Sequence, residues 1–233
     1  MISVIIPTLN EEKYIGPTLK ALKSQDYTRK YEIILADGGS RDKTVKIAKN
    51  MVDKVVVVNE RGIAKGRNTG ARAAKGDMLL FVDADTILLF NALEEVEKAF
   101  KNKKIVCASC PILPTTPQAK YFMLYWGFNQ FVKTSIRTRT PQIAGLFFAC
   151  RKKAFDRVGG FDENLETLED FDLSRKLSKI GKTSFIEDTL VLTSHRRIKE
   201  WGRIKGVRKY IKFYLSYIVT GKGGSTDEYK PIR

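Results

Sequence analysis

The feature that most constrains this chain is an alternation of short apolar runs with helix-like segments over its first half. Ser3-Val4-Ile5-Ile6 is apolar and β-branched, and residues 16–24 after it carry a helical pattern that opens on Gly16-Pro17, with the proline acceptable in a first turn. The sequence repeats this rhythm three more times. Residues 32–37 read as a strand and 42–51 as a helix, 55–58 as a strand and 63–74 as a helix, 78–83 as a strand and 91–102 as a helix. The strand-like runs are apolar throughout rather than alternating, so both of their faces must be covered. That predicts an α/β fold whose central sheet is mostly parallel, with helices on both faces.

The pattern changes after Pro111. Pro111, Pro114 and Pro117 punctuate a connector, and residues 121–133 form an aromatic-rich helical stretch. Residues 143–150 read as another strand, 168–178 as a charged helix, 198–219 as a basic amphipathic helix and 221–233 as a loose tail. No internal repeat or low-complexity segment interrupts this order. The simplest organisation is one domain over residues 1–195 and a basic helix with its tail over residues 196–233. The 233 residues are enough for a well-buried core, and 43% hydrophobic with 29% charged residues is a globular balance. The opening run lacks the basic flank and cleavage site of a leader, and no apolar stretch approaches the roughly 18 residues of a membrane span. The compartment this implies is the cytoplasm or the membrane's cytoplasmic face.

The formal net charge is +16, from 42 Lys and Arg against 26 Asp and Glu, a surplus that attracts polyanions. Half of it lies in residues 196–233, with eleven basic residues against three acidic ones. Cys107 and Cys110 make a C-x-x-C inside an apolar stretch, and the chain has one histidine. That is poor material for zinc, so these two and Cys150 are expected as reduced core thiols.

Ligands of open α/β sheets bind beyond the carboxyl ends of the strands. Three polar clusters fall there: Pro7-Thr8-Leu9-Asn10-Glu11-Glu12, Asp37-Gly38-Gly39-Ser40-Arg41-Asp42, and Asp83-Ala84-Asp85. Each alone could be a helix cap or a turn; three on one sheet edge point to a binding site. Two carboxylates two residues apart at a strand end can meet one hard cation and a bound diphosphate, and manganese or magnesium takes such oxygen ligands. The first strand-to-helix turn lacks the G-x-G-x-x-G that a dinucleotide requires, and no phosphate-binding loop of the G-x-x-x-x-G-K-[ST] type follows a strand.

Taken in order, the motifs resemble those of the inverting family-two glycosyltransferases, with the nucleotide-sugar-binding GT-A fold. The likeness runs from the first strand and its loop through Asp37-Gly38-Gly39-Ser40, Gly66-Arg67-Asn68-Thr69-Gly70 and Asp83-Ala84-Asp85. It ends in Gly159-Gly160-Phe161-Asp162 and Glu169-Asp170-Phe171-Asp172-Leu173. The resemblance implies that Pro7, Thr8, Glu11 and Asp37 hold the nucleotide, Asp37 through its base, with Arg67 and Lys65 near the nucleotide or its phosphates. It implies that Asp83, Ala84 and Asp85 serve ribose, diphosphate and a manganese or magnesium ion, Asp85 and Asp83 as ligands. Asp170 becomes the general base and Glu169 its neighbour. A glycine at position 38, where many relatives carry a second aspartate, leaves Asp37 alone for base recognition.

The implied partners are a nucleotide-diphosphate sugar and an acceptor of unknown identity, membrane lipid or lipid phosphate included; nucleic acid is not expected. His195 follows an apolar strand and is either a further metal or diphosphate ligand or a hydrogen-bonded surface histidine. Arg196 and Arg197 beside it suit phosphate geometry. The last helix, with Trp201, Ile204, Val207, Ile211, Tyr214 and Ile218 on one side, fits either a peripheral contact with an anionic bilayer or packing on the domain. A sugar nucleotidyltransferase and a basic nucleic-acid-binding protein are the competing functions. The acidic first loop opposes the former, and the lack of a recognition motif opposes the latter.

Overall fold

The computed structural model describes residues 1–60 and 62–224. In chain order the elements are β1 (Ile2–Thr8), α1 (Ile15–Lys23), β2 (Tyr31–Asp37), α2 (Thr44–Ala48), β3 (Lys54–Val57), α3 (Ile63–Ala73), β4 (Met78–Val82), β5 (Thr86–Leu88), α4 (Ala92–Phe100), β6 (Ile105–Ser109) and β7 (Ile112–Pro114). They continue with α5 (Ala119–Arg137), β8 (Phe147–Arg151), α6 (Lys152–Arg157), α7 (Glu169–Ser178), β9 (Lys182–Phe185), β10 (Val191–Thr193), α8 (Arg196–Trp201) and α9 (Arg203–Thr220).

Seven strands form the central sheet in the order β3-β2-β1-β4-β8-β6-β9. All neighbours run parallel except β8, which is antiparallel to both β4 and β6. Alternate residues of each strand feed two cores. Val4, Ile6, Ile33, Leu35, Leu80 and Val82 pack with α1 and α4 on one face. Ile5, Ile34, Leu79, Phe81 and Phe148 pack with α3, α6 and α7 on the other. This is the layered architecture that uniformly apolar strands require. The three cysteines are buried and free, and burial pushes their thiols up, Cys107 to about 12.

A small second sheet, β5-β10-β7, sits beyond the end of β4. Its strands have three residues each, too short for the periodicity that marks a strand in sequence. Other boundaries also moved. The strand expected over residues 143–150 starts at Phe147, because Ile143 to Leu146 turn toward α7. The single helix expected over residues 198–219 is two, α8 and α9, separated by Gly202 at φ 75°. A left-handed residue between two helical runs breaks the hydrogen-bond ladder, and glycine adopts it at little cost.

The described part of the C-terminal segment packs on the domain. Phe213 and Tyr217 of α9 are buried against Leu165 and Leu168 just before α7, and the Tyr217 hydroxyl donates to Asp172 at 2.8 Å. Of the side read from the sequence, Tyr214 and Trp201 are half-buried against this cluster, while Ile204, Ile211 and Ile218 are exposed. Residues 225–233 of the expected tail lie outside the described residues.

Candidate active site

The first and second strand-end loops are zipped together by side chains. Asn10, at φ 56°, donates its N–H to the Ser40 hydroxyl at 2.8 Å and accepts the Arg41 N–H at 2.7 Å. The N–H of Glu11 donates to Thr44 and that of Glu12 to Asp42, while Glu12 accepts from Lys43. Asp37 is buried at the centre. Its carboxylate accepts the hydroxyls of Thr8 (3.1 Å) and Ser40 (2.5 Å) and the N–H groups of Gly39 and Ser40. These bonds tie Asp37 to its own loop and to the end of β1. Pro7 and Thr8 end β1 on the same edge.

Asp83-Ala84-Asp85 leaves β4 between the two sheets. The N–H of Asp83 donates to Leu146, the carbonyl of Ala84 accepts Thr18, and the carbonyl of Asp85 accepts the Ser194 N–H. Fixed this way, the two carboxylates turn to different cations. Asp83 meets Arg67 Nη2 at 3.0 Å; Asp85 meets Arg196 Nε at 3.1 Å. Arg196 also grips Glu11 with two bonds, 2.8 and 2.7 Å, and lies over the Tyr14 ring. Asp85 is nearly buried, and burial lifts its carboxyl to about 6 against the pull of Arg196.

Arg67 is the largest fully buried side chain, and its guanidinium pairs with Glu169 as well as Asp83. It reaches this depth because α3 lies close to β1: a Cβ at Gly70 would stand 2.3 Å from Ile5 Cγ2. The resemblance implies Arg67 near the nucleotide or its phosphates. In the structure it joins the strand end of β4 to the start of α7. Desolvating a guanidinium demands such pairing. Gly145 covers it, and a Cβ there would stand 2.3 Å from Arg67 Nη2. Asn68, next on α3, clamps the turn before α7 by exchanging bonds with the Phe161 backbone at 2.9 and 3.0 Å. Lys65 points to Glu60 near the surface and joins none of these groups.

Glu169 and Asp170 begin α7, and burial raises both carboxyls above the usual range. Glu169 is buried on Arg67. Asp170 is partly exposed, its oxygens held by the N–H groups of Gly145 (2.6 Å) and Phe171 (2.8 Å). His195 stacks on Tyr121, with ring centroids 4.6 Å apart, and its Nδ1 is buried with no hydrogen-bond partner. Burial holds its pKa below the usual value. Sequence reasoning named neither Gly145 nor Tyr14 for the site. Gly145 has no motif around it, and Tyr14 matters only because Arg196 folds back from far along the chain.

The family model for glycosyl transferase family 2 matches residues 3–159, two thirds of the chain and every strand-end loop described above. The chain belongs to glycosyl transferase family 2. An uncharacterised glycosyltransferase of Haemophilus influenzae is 30% identical over 189 residues, covering 76% of this chain; the chain spans 62% of that protein's length. A Methanococcus voltae protein is 25% identical over 243 residues, covering 93% of this chain and 71% of its own length. Its name is dolichyl N-acetyl-alpha-D-glucosaminyl phosphate 3-beta-D-2,3-diacetamido-2,3-dideoxy-beta-D-glucuronosyltransferase. Among solved structures, the mannosyltransferase PcManGT of Pyrobaculum calidifontis, in complex with GDP-Man and Mn2+, has a similar fold. The TM-score is 0.74 at 23% identity, with 99% of this chain and 67% of that one covered. This family 2 chain thus has the GT-A architecture expected from its motifs.

Proposed function

We propose that the protein transfers a sugar from a nucleotide-diphosphate donor to an acceptor hydroxyl or phosphate, with inversion at the anomeric carbon. The observation that carries this reading is the unequal pair at the start of α7: Glu169 is buried and consumed by Arg67, while Asp170 is reachable and rigidly held. Asp170 takes the proton from the acceptor as the acceptor oxygen bonds to the anomeric carbon, and the bond from that carbon to the diphosphate oxygen breaks on the opposite side. A carboxylate held above the ordinary range by burial suits a group that must receive a proton.

Pro7, Thr8, Asp37 and Ala84 shape the nucleotide wall. The carboxylates fit a hard divalent cation: Asp85 is nearly buried beside Glu11, and the pair has already drawn in a guanidinium. Among the described residues no three His, Cys, Asp or Glu converge into a closed cage. Manganese or magnesium is a hard cation that takes few protein carboxylates and would be bound together with a diphosphate. Asp85 would be the ligand; to join it, Asp83 would have to leave Arg67 and His195 its place against Tyr121. Such an ion, when bound, would supply positive charge near a departing nucleoside diphosphate. PcManGT is described with GDP-Man and Mn2+, which supports this donor class and this ion. The name of the Methanococcus voltae relative, which refers to a dolichyl phosphate-linked sugar, supports a lipid-linked acceptor.

Nucleotide sugars screened by thermal shift, with manganese and then with a chelator, identify the donor through ligand-induced stabilisation. Asp170→Asn should then lose about a hundred- to ten-thousand-fold in transfer rate while donor binding stays intact. The anomeric configuration of the product, read by NMR, checks inversion. Normal turnover by Asp170→Asn, or a product that retains the donor's configuration, would remove Asp170 from its role.

A further inference from the structure

Ten of the thirteen large hydrophobic side chains left exposed among the described residues lie on just two helices, four on α5 and six on α9. Met123 and Trp126 on α5 are 71% and 58% exposed, with Phe122 beside them; Ile211, Leu215 and Ile218 on α9 are each more than half exposed. The two helices meet where Phe131 and Tyr214 make an edge-to-face contact with ring centroids 6.2 Å apart. Ile211 and Ile218 lie three before and four after Tyr214, and Leu215 four after Ile211, so the exposed stripe of α9 borders this contact with α5. Neither helix contains an Asp or a Glu, although the chain has 26; together they carry eight Lys and Arg. Neither is long and apolar enough to cross a membrane.

We infer that the α5–α9 face docks on an anionic lipid bilayer, with the apolar side chains entering the interface and the basic residues meeting lipid phosphates. A second protein copy fits the charge poorly, because two such faces would oppose eight positive charges to eight. An anionic bilayer answers both the charge and the aromatic and aliphatic content. The face also borders the catalytic edge. Tyr121 of α5 stacks on His195, and α9 packs on α7 through Phe171–Tyr214 and Tyr217–Asp172. A docked protein would therefore hold the start of α7 close to the lipid headgroups. Docking itself stands on this surface alone. Its purpose, presenting a lipid-linked acceptor to Asp170, rests on the glycosyl-transfer reading above.

The test is co-sedimentation of the full chain with vesicles of phosphatidylglycerol and phosphatidylcholine, against vesicles of phosphatidylcholine alone. Binding should favour the anionic vesicles and weaken with salt. Lys205→Glu with Arg208→Glu should lower partitioning at least about tenfold, as expected for two reversed charges at the surface. Phe122→Ser with Trp126→Ser, and separately Ile211→Ser with Ile218→Ser, should each lower it by a similar factor. Thermal denaturation of each variant, with and without nucleotide and manganese, shows whether the domain and donor site remain folded. Asp170→Asn should bind vesicles like wild type, so a failed catalytic assignment is distinguishable from a failed surface. Absence of binding at low salt would overturn the inference. So would binding unaffected by the serine variants, or sedimentation showing that this face joins two copies of the chain.

Discussion

Two arginines each bridge a pair of carboxylates from distant parts of the chain, and they do so under opposite conditions. Arg67 joins Asp83 to Glu169 with its side chain 2% exposed, under Gly145 and beside the Phe161 ring. Arg196 joins Glu11 to Asp85 with its side chain 18% exposed, on the first turn of the six-residue helix α8. The first bridge is sealed in the domain and cannot leave without exposing buried charge. The second lies nearer the surface, on a short helix that ends at Gly202. A fixed cation suits a framework; a cation at the rim suits the place where the proposed metal and diphosphate would enter. Charge pairing alone therefore does not say whether a residue is structural or functional. Depth and the element that carries it decide.

Breaking the deep bridge should have the largest effect. Arg67→Ala leaves Glu169 buried without its partner and should destabilise the domain by about 3–5 kcal/mol, measured by urea or thermal denaturation. Arg196→Ala, whose partners keep some solvent contact, should cost less, about 1–2 kcal/mol. Equal losses from the two variants would erase the distinction.

Gly145→Ala probes the same bridge from above. The new methyl would press on Arg67 Nη2 from 2.3 Å, and the backbone there also supplies the N–H that holds Asp170. Overpacking of this kind costs about 1–3 kcal/mol. Because the strain falls between Arg67 and Asp170, the variant should lose transfer rate as well as stability while still binding nucleotide. A stable and fully active Gly145→Ala would mean that the loop yields freely.

Much of this was legible in the sequence because it is local. Uniformly apolar runs separated by helical periods specify a covered, mostly parallel sheet, and the polar residues closing each run fall at its carboxyl edge. Asp85, Glu169 and Asp170 could be picked out because each sits in a short motif at an element's end. What could not be read depends on distance. Arg67 and Glu169 are 102 positions apart, and Glu11 and Arg196 are 185 apart. Nothing in Gly66-Arg67-Asn68 says whether its arginine faces phosphate or core. That is settled by how near Gly70 lets α3 approach β1. Which side of α9 packs could not be read for a related reason: the helix offers two apolar sides, and α7 and its preceding loop select Phe213 and Tyr217.

The smallest expected effect is also the most informative about the rim. Arg196 holds the carboxylates of Glu11 and Asp85 with three contacts of 2.7 to 3.1 Å, so a divalent ion arriving without nucleotide must compete with a cation already in place. Removing the guanidinium should make manganese bind more tightly to the nucleotide-free protein, by about three- to tenfold for a partly exposed pair. The measurement is a manganese titration of wild type and Arg196→Ala, by calorimetry or by electron paramagnetic resonance of the free ion. Asp85→Ala should weaken binding in the same assay, which separates loss of a ligand from loss of a competitor. If Arg196→Ala instead bound manganese more weakly, the guanidinium would be organising the carboxylates rather than occupying them. The contrast with Arg67 would then reduce to depth alone.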